Sequence, residues 1–461
     1  MTATETPSEA LERVRSYFCS GATRSIDWRN AQLKALAVLL DKEVESLCSA
    51  LGDDLGKSPS EAFITEIATS RGEVGALRHG LKSWSRPRRV RLALVLQPGS
   101  ARVTREPLGV VLVISPWNYP VNLVLSPLAA AIAAGNCVVV KPSELAPATS
   151  SLLARLLPQY LDDQAIAVVE GAADEVHALI GQGVDHVMFT GSAPVGRAVM
   201  QAASRHLTPV TLELGGKSPA IVGQSADIRV AARRVAWGKF LNAGQTCLAP
   251  DYVLVHRAVR DEFVAAVVDA IHNFYGMEPR ESMDYGRILN LSHVERLKGL
   301  LSDHGGTIEC GGRVDERERY IDPTVITNVR ADSRIMNEEI FGPILPVNSF
   351  DEIEEAIAFV GARPTPLSTY VFVKTKREAR RILESTRSGS ACVNATLLHF
   401  VAPQLPFGGL GESGFGAYHG RAGFEVFSHQ RSVLYKRNRP DIPLAYPPHR
   451  RLRLFFLRRL L

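Results

Sequence analysis

Apolar residues recur every three to four positions through the first eighty residues, as at Leu33, Leu36, Leu40, Val44 and Leu47, the spacing of one buried helix face. Helices are predicted there. Beyond them the pattern switches to short apolar runs alternating with helical stretches. LGVVLVI (108–114), CVVVKPS (137–143), AIAVVEG (165–171) and HVMFTGS (186–192) predict strands, and SPLAAAIAAG (126–135), TSSLLARLLPQYL (149–161) and VGRAVMQAASRHL (195–207) predict helices. Strands apolar at every position suit a parallel sheet covered on both faces. Their regular alternation with helices, through Gly/Pro turns, predicts βαβ units and a doubly wound α/β sheet, which binds nucleotides at the carboxyl ends of its strands. A second alternating series runs from Thr211 to about Val393, beginning with VTLEL and the helix containing AARRVAWGKF. No repeat or low-complexity linker precedes Lys436, so the domains are expected to share a broad interface.

Pro107 through Val140 carries no charge and is long enough to cross a membrane. Pro116, Pro120 and Pro127, Asn118 and Asn122, and the Gly135-Asn136 turn cut it into shorter elements, so it reads as buried core. A chain of 461 residues implies two or three packed domains. The formal net charge is +5, but residues 436–461 hold eight Lys or Arg against one Asp, leaving residues 1–435 at −2. A nucleic-acid-binding surface is therefore not expected. Six scattered cysteines without a Cys-x-x-Cys pair, and histidines without a cluster, suggest neither a disulfide framework nor a metal site. The polar N-terminus reads as a capped helix rather than a signal peptide, which points to a cytoplasmic protein.

Two Gly-framed segments carry candidate chemistry: GQTCLAP around Cys247 and TLELGGKSP around Glu213, 34 residues earlier. A thiol in a tight turn is open to activation by backbone dipoles, although most unpaired cysteines are simply buried. A carboxylate flanked by Leu212 and Leu214 is either a paired core group or, being desolvated, a general base for work near neutral pH. Asn118, in PWNYP, is either a turn residue or a rigid amide donor to an oxyanion. Gly191-Ser192-Ala193-Pro194-Val195-Gly196 joins a strand to a helix, where a pyrophosphate can sit, or where glycine is plain punctuation. It is neither Gly-x-Gly-x-x-Gly nor a Walker A loop, since Arg197-Ala198 stands where Lys-Ser/Thr is needed. Lys141 and Glu144 after the strand CVVV form either a ribose-binding pair or a solvated turn.

PWNYP, KPSE, FTGS, LELGGKSP, GQTCLAP, EEIFGP (338–343) and PFGG (406–409) occur in the order found in aldehyde dehydrogenases. Seven motifs over some 300 residues make the chain, from about residue 8 to 435, resemble that superfamily. HLTPVTLELGGKSP and SGFGAYHG look most like its class 3, fatty aldehyde dehydrogenase-like branch. The resemblance implies that Cys247 is the nucleophile, Glu213 the general base and Asn118 the oxyanion donor. It implies that Lys141 and Glu144 hold the adenosine ribose, Gly191, Ser192 and Gly196 the pyrophosphate region, and Glu339 and Phe341 the nicotinamide side. The implied fold is a Rossmann-type cofactor domain (1–212, with an arm near 85–106), a second α/β catalytic domain (213–393) and a return segment with a small β oligomerisation arm (394–435). A homodimer is implied. NAD is the expected cofactor because Glu144 would repel a 2′-phosphate, with NADP also admitted.

The expected substrates are medium- or long-chain aliphatic, or aromatic, aldehydes, entering past Tyr119, Leu397, Leu398 and Phe400; His399 reads as a second lining residue of that entrance or, the favoured reading, as a surface-loop residue. The basic, apolar tail (436–461), ending YPPHRRLRLFFLRRLL, admits docking on the cytosolic face of an anionic membrane, folding back over the substrate mouth, or disorder. A non-catalytic scaffold would not need Cys247, Glu213 and Asn118 together. A coenzyme-A-acylating dehydrogenase would not need Glu213.

Overall fold

Strands Val110–Ile114, Cys137–Lys141, Ile166–Val168, His186–Thr190 and Val210–Glu213 lie parallel in one sheet of the computed structural model, which describes residues 5–439, 446–448 and 455. From the central strand 110–114 the chain builds outward through 137–141 and 166–168, then returns to the other side through 186–190 and 210–213. The order therefore reverses between 110–114 and 186–190. Crevices for ligands open at such a reversal, outside the carboxyl ends of the strands. The segments leaving those two ends are Pro116–Asn118 and Gly191–Ser192.

Helix Asn122–Ala134 is buried along its whole length, between the sheet and helices Ile26–Lys42 and Thr69–Trp84. This explains its lack of a polar face. The charge-free stretch is thus core, and among the described residues no helix is long and apolar enough to cross a membrane.

A second, seven-stranded sheet has the order 307–310, 324–327, 344–350, 252–256, 219–222, 368–372, 390–393, parallel except for its first strand. It buries a separate apolar cluster. The sequence pattern starts the second series at VTLEL, but Val210–Glu213 belongs to the first sheet and the second begins with Pro219–Val222. Periodicity could not separate the two, because both strands are apolar and parallel.

After the second sheet the chain returns. Gly414–Phe415 pairs antiparallel with Leu212–Glu213, and Leu214 N–H donates to the Ser413 carbonyl at 3.1 Å. Gly414 has φ +125°, and a Cβ there would lie 2.0 Å from the Leu212 carbonyl oxygen, so only glycine lets the return strand close on the strand carrying Glu213. Ser428–Lys436 then completes a three-stranded antiparallel arm with Gly99–Pro107 and Arg88–Val90. Of the expected tail, all but 436–439, 446–448 and 455 lies outside the described residues.

Candidate active site

Glu213 closes its strand 3% exposed, and neither carboxylate oxygen has a hydrogen-bond partner among the described residues. Burial pushes its pKa well above the ordinary carboxylate value. The adjoining turn is tied to it, since Gly191 N–H donates to the Glu213 carbonyl at 3.0 Å.

Cys247 follows helix Ile228–Phe240 through a sharp turn in which Asn242, Ala243 and Gly244 all have left-handed φ values (+53°, +52° and +73°). Left-handed backbone costs a non-glycine residue roughly 1 kcal/mol or more, and the turn is pinned accordingly. Asn242 N–H donates to Glu61 at 2.8 Å, and the Gln245 amide donates to the Asn242 and Arg287 carbonyls at 3.1 and 2.9 Å. Cys247 itself is half-buried. Burial, followed by the charges of Glu339 and Glu213, pushes Cys247 up to about 12, outweighing the opposing backbone N–H groups of Cys247 and Leu248. Backbone dipoles do act on this sulfur, but desolvation is larger.

Asn118, 3% exposed, reaches across from the first sheet. Its side-chain amide donates to the Gln245 carbonyl at 3.0 Å, two residues before Cys247.

Two cavities meet at these groups, sharing Leu123, Thr190, Glu213, Leu214 and Cys247. The first is apolar, with Ile64, Tyr119, Trp237, Leu397, Phe400 and Tyr418 among its walls. The second is lined by Trp117, Asn118, Gly191, Ser192, Glu339 and Phe341, among others. Phe341, at φ +47°, meets Trp117 edge-on with ring centroids 5.4 Å apart. Glu339 presses against Gly215, where a Cβ would lie 2.2 Å from a carboxylate oxygen. Burial, then the charge of Asp251, pushes Glu339 up to about 8.

The second cavity suits a dinucleotide. Helix Ala193–Ala203 opens on it with no side-chain cap from Ser192, leaving its first N–H groups for an anion, and one buried Glu339 oxygen has no partner among the described residues. Gly196 does not line this cavity; a Cβ there would sit 2.9 Å from Leu214, so its bareness seats the helix on the strand extension. Lys141 and Glu144 also lie outside both cavities, paired with each other at 2.5 Å at the end of strand 137–141.

Tyr119, Leu397 and Phe400 line the apolar cavity as expected, whereas Leu398 does not and is 53% exposed. His399 is not a surface residue. It is 8% exposed, against Ser390 Oγ at 2.8 Å and Cys392 Sγ at 3.0 Å, because its loop folds inward over strand 390–393. Ile64, Trp237, Tyr418, Thr246 and Trp117 were not singled out in the sequence; the first three look like ordinary apolar positions on helices and loops. Among the described residues no cluster of metal-binding side chains occurs.

The family model for the aldehyde dehydrogenase family matches residues 2–433. The chain belongs to that family. It is 44% identical over 436 residues to a 4,4'-diaponeurosporen-aldehyde dehydrogenase of Staphylococcus aureus, covering 95% of each chain. It is 43% identical over 443 residues to an aldehyde dehydrogenase of Rattus norvegicus described as dimeric and NADP-preferring, covering 96% of this chain and 97% of the relative. The solved substrate-bound state of Staphylococcus aureus AldH superposes with a TM-score of 0.95 at 42% identity, over 98% of both chains. As an aldehyde dehydrogenase, the protein oxidises aldehydes to carboxylic acids with NAD or NADP.

Proposed function

We propose that Cys247 attacks the aldehyde, that Asn118 and the Cys247 N–H hold the resulting oxyanion, and that Glu213 activates the water that hydrolyses the thioester. The single observation supporting this is the meeting of an apolar and a polar cavity at Cys247 and Glu213. Aldehyde carbon adds to sulfur, and the alkoxide is held by two donors, each worth about 3 kcal/mol in such sites. The bound dinucleotide supplies a hydride acceptor. The thiol proton must leave before attack, and Glu213 is a carboxylate on the same cavity wall able to take it. Once that first proton has passed to solvent, the same carboxylate takes a proton from water as water's oxygen bonds the acyl carbon, the acyl–sulfur bond breaks to return the thiolate, and the acid departs.

The substrate class is medium- or long-chain aliphatic, or aromatic, aldehydes, supported by the aliphatic and aromatic walls of the first cavity. Gly191, Ser192, Glu339 and Phe341 hold the dinucleotide along the second cavity, and Lys141, Glu144 and Gly196 complete the cofactor domain's share. NAD is preferred, because the Glu144 carboxylate, 45% exposed beside Lys141, opposes a second anion near the ribose. The cofactor domain runs to the end of strand Val210–Glu213, the catalytic domain from there to 393, and the return segment with its arm over 394–435. The chain acts as a homodimer through the arm; the exposed edge strand Arg88–Val90 and the dimeric rat relative support this. It works in the cytoplasm with its basic tail on an anionic membrane face, a reading that rests on the sequence of 436–461.

Reduced-cofactor formation across aldehydes of increasing chain length, with NAD and then NADP, tests the substrate and cofactor choices. Falling kcat/KM with chain length, or a preference for NADP, rejects them. Vesicle pelleting with and without residues 449–461 tests the tail, and equal pelleting dismisses it.

A further inference from the structure

Behind Asn118 lies a fully buried ion pair that the chemistry above does not use. Lys57 and Glu66 side chains are both 0% exposed and 2.6 Å apart. Lys57 Nζ also donates to the Asn118 carbonyl at 3.0 Å and sits 4.0 Å from the centroid of the Tyr119 ring. The second oxygen of Glu66 accepts from the N–H groups of Val121 and Asn122, both at 2.9 Å, where helix Asn122–Ala134 begins. Glu66 belongs to a π-helical turn, Phe63–Ala68, whose Ile64 and Thr65 line the apolar cavity. The extra residue of a π turn redirects side chains, and such turns gather at functional sites.

The same carbonyl is gripped from the other side. The Asn242 amide donates to the Asn118 and Gln245 carbonyls at 2.9 and 3.2 Å, and Asn242 N–H is itself held by Glu61 at 2.8 Å. The PWNYP loop and the Cys247 turn come from different sheets. These bonds, together with the Asn118 amide on the Gln245 carbonyl at 3.0 Å and Tyr119 Oη against Thr246 Oγ1 at 2.6 Å, fix the distance from the Asn118 amide to the sulfur.

We propose that the Lys57–Glu66 pair is a positioning device that holds the Asn118 backbone so that its side-chain amide faces the oxyanion formed at Cys247. The proposal rests on the reading of Asn118 as oxyanion donor. Burying two charges is costly, and an apolar pair of similar volume is often no less stable, so fold stability alone does not account for the pair. Its geometry does: one cation on the oxyanion loop's carbonyl and one anion on that loop's N–H groups fix the loop at both ends.

Lys57→Met alone strands a buried carboxylate and can unfold the chain. The test therefore uses Lys57→Met with Glu66→Gln, which removes both charges and keeps an oxygen for Val121 and Asn122. Thermal melting and NADH fluorescence titration establish that this variant is folded and binds cofactor. Its kcat is expected to fall about tenfold to hundredfold, less than the 10²–10³ of an outright lost donor, with KM for the aldehyde within about threefold. In the Asn118→Ala background the same pair of changes should lower kcat by less than about twofold, since its target is gone. Losses that multiply in the combined variant, or an unchanged kcat in the folded pair variant, overturn the proposal. Unchanged kcat in Asn118→Ala alone overturns the oxyanion reading instead, and the proposal with it.

Discussion

Replacing Glu213 by Gln changes one atom of a side chain that makes no hydrogen bond among the described residues, so the substitution removes a charge and a base without dismantling a network. At 3% exposure the site keeps its shape. A positioned general base contributes about 10²–10⁴ in rate, which at 1.36 kcal/mol per tenfold is about 3–5.5 kcal/mol on the deacylation barrier. Thioester formation in the first turnover loses less, because solvent base reaches the half-buried Cys247 and can take the thiol proton in place of Glu213. The variant is therefore expected to release one equivalent of reduced cofactor per site in a stopped-flow burst, then turn over at least about a hundredfold more slowly than the parent. Mass spectrometry should find the acyl group on the peptide containing Cys247. Linear turnover at the parent's rate, with no burst and no adduct, would refute the assignment. The pH dependence follows from the raised pKa of Glu213. Steady turnover of the parent should rise with pH as this carboxyl ionises, and the Gln variant should lack that limb. Stability carries the same signature. Between the unfolded carboxylate value and the raised folded one, the native state holds a proton that the unfolded state has lost, so the group's contribution to stability falls as pH rises. The melting temperature of Glu213→Gln relative to the parent should therefore climb with pH over that interval; a constant difference would contradict the burial argument.

Cys247→Ala should abolish aldehyde oxidation while NADH titration shows cofactor binding retained, and measurable oxidation would remove Cys247 from the nucleophile's place. Asn118→Ala should lower kcat about 10²–10³ yet cost only about 1 kcal/mol of stability, because Asn242 still donates to the Gln245 carbonyl at 3.2 Å; kinetics beside denaturant melts check the contrast. Gly215→Ala should displace the Glu339 carboxylate, 2.2 Å from the new Cβ, and weaken dinucleotide binding by roughly 1–3 kcal/mol, read by fluorescence titration.

The family and the candidate groups were legible in the chain because the motifs that carry them are local. Cys247, Glu213 and Asn118 sit in short Gly- or Pro-framed motifs whose identity does not depend on what surrounds them. The α/β alternation was equally plain, since a strand buried on both faces must be apolar throughout, as Val110–Ile114 is. What the sequence could not supply is everything that depends on burial and on partners far along the chain. The turn around Cys247 left open whether its thiol is buried or activated, and only the packed neighbours supply the desolvation that raises it to about 12. His399 looked like a loop residue until the loop folded inward. Strand Val210–Glu213 joined the first sheet rather than the second because Gly414–Phe415 and His186–Thr190 flank it, contacts set by topology. Nothing in their local sequence marks Lys57 and Glu66; only the fold carries Asn118 and Val121, more than fifty residues on, to within hydrogen-bond reach of them. Sequence determines which groups are available and which local backbone they occupy, whereas dielectric surroundings and long-range distances exist only once the chain has closed on itself.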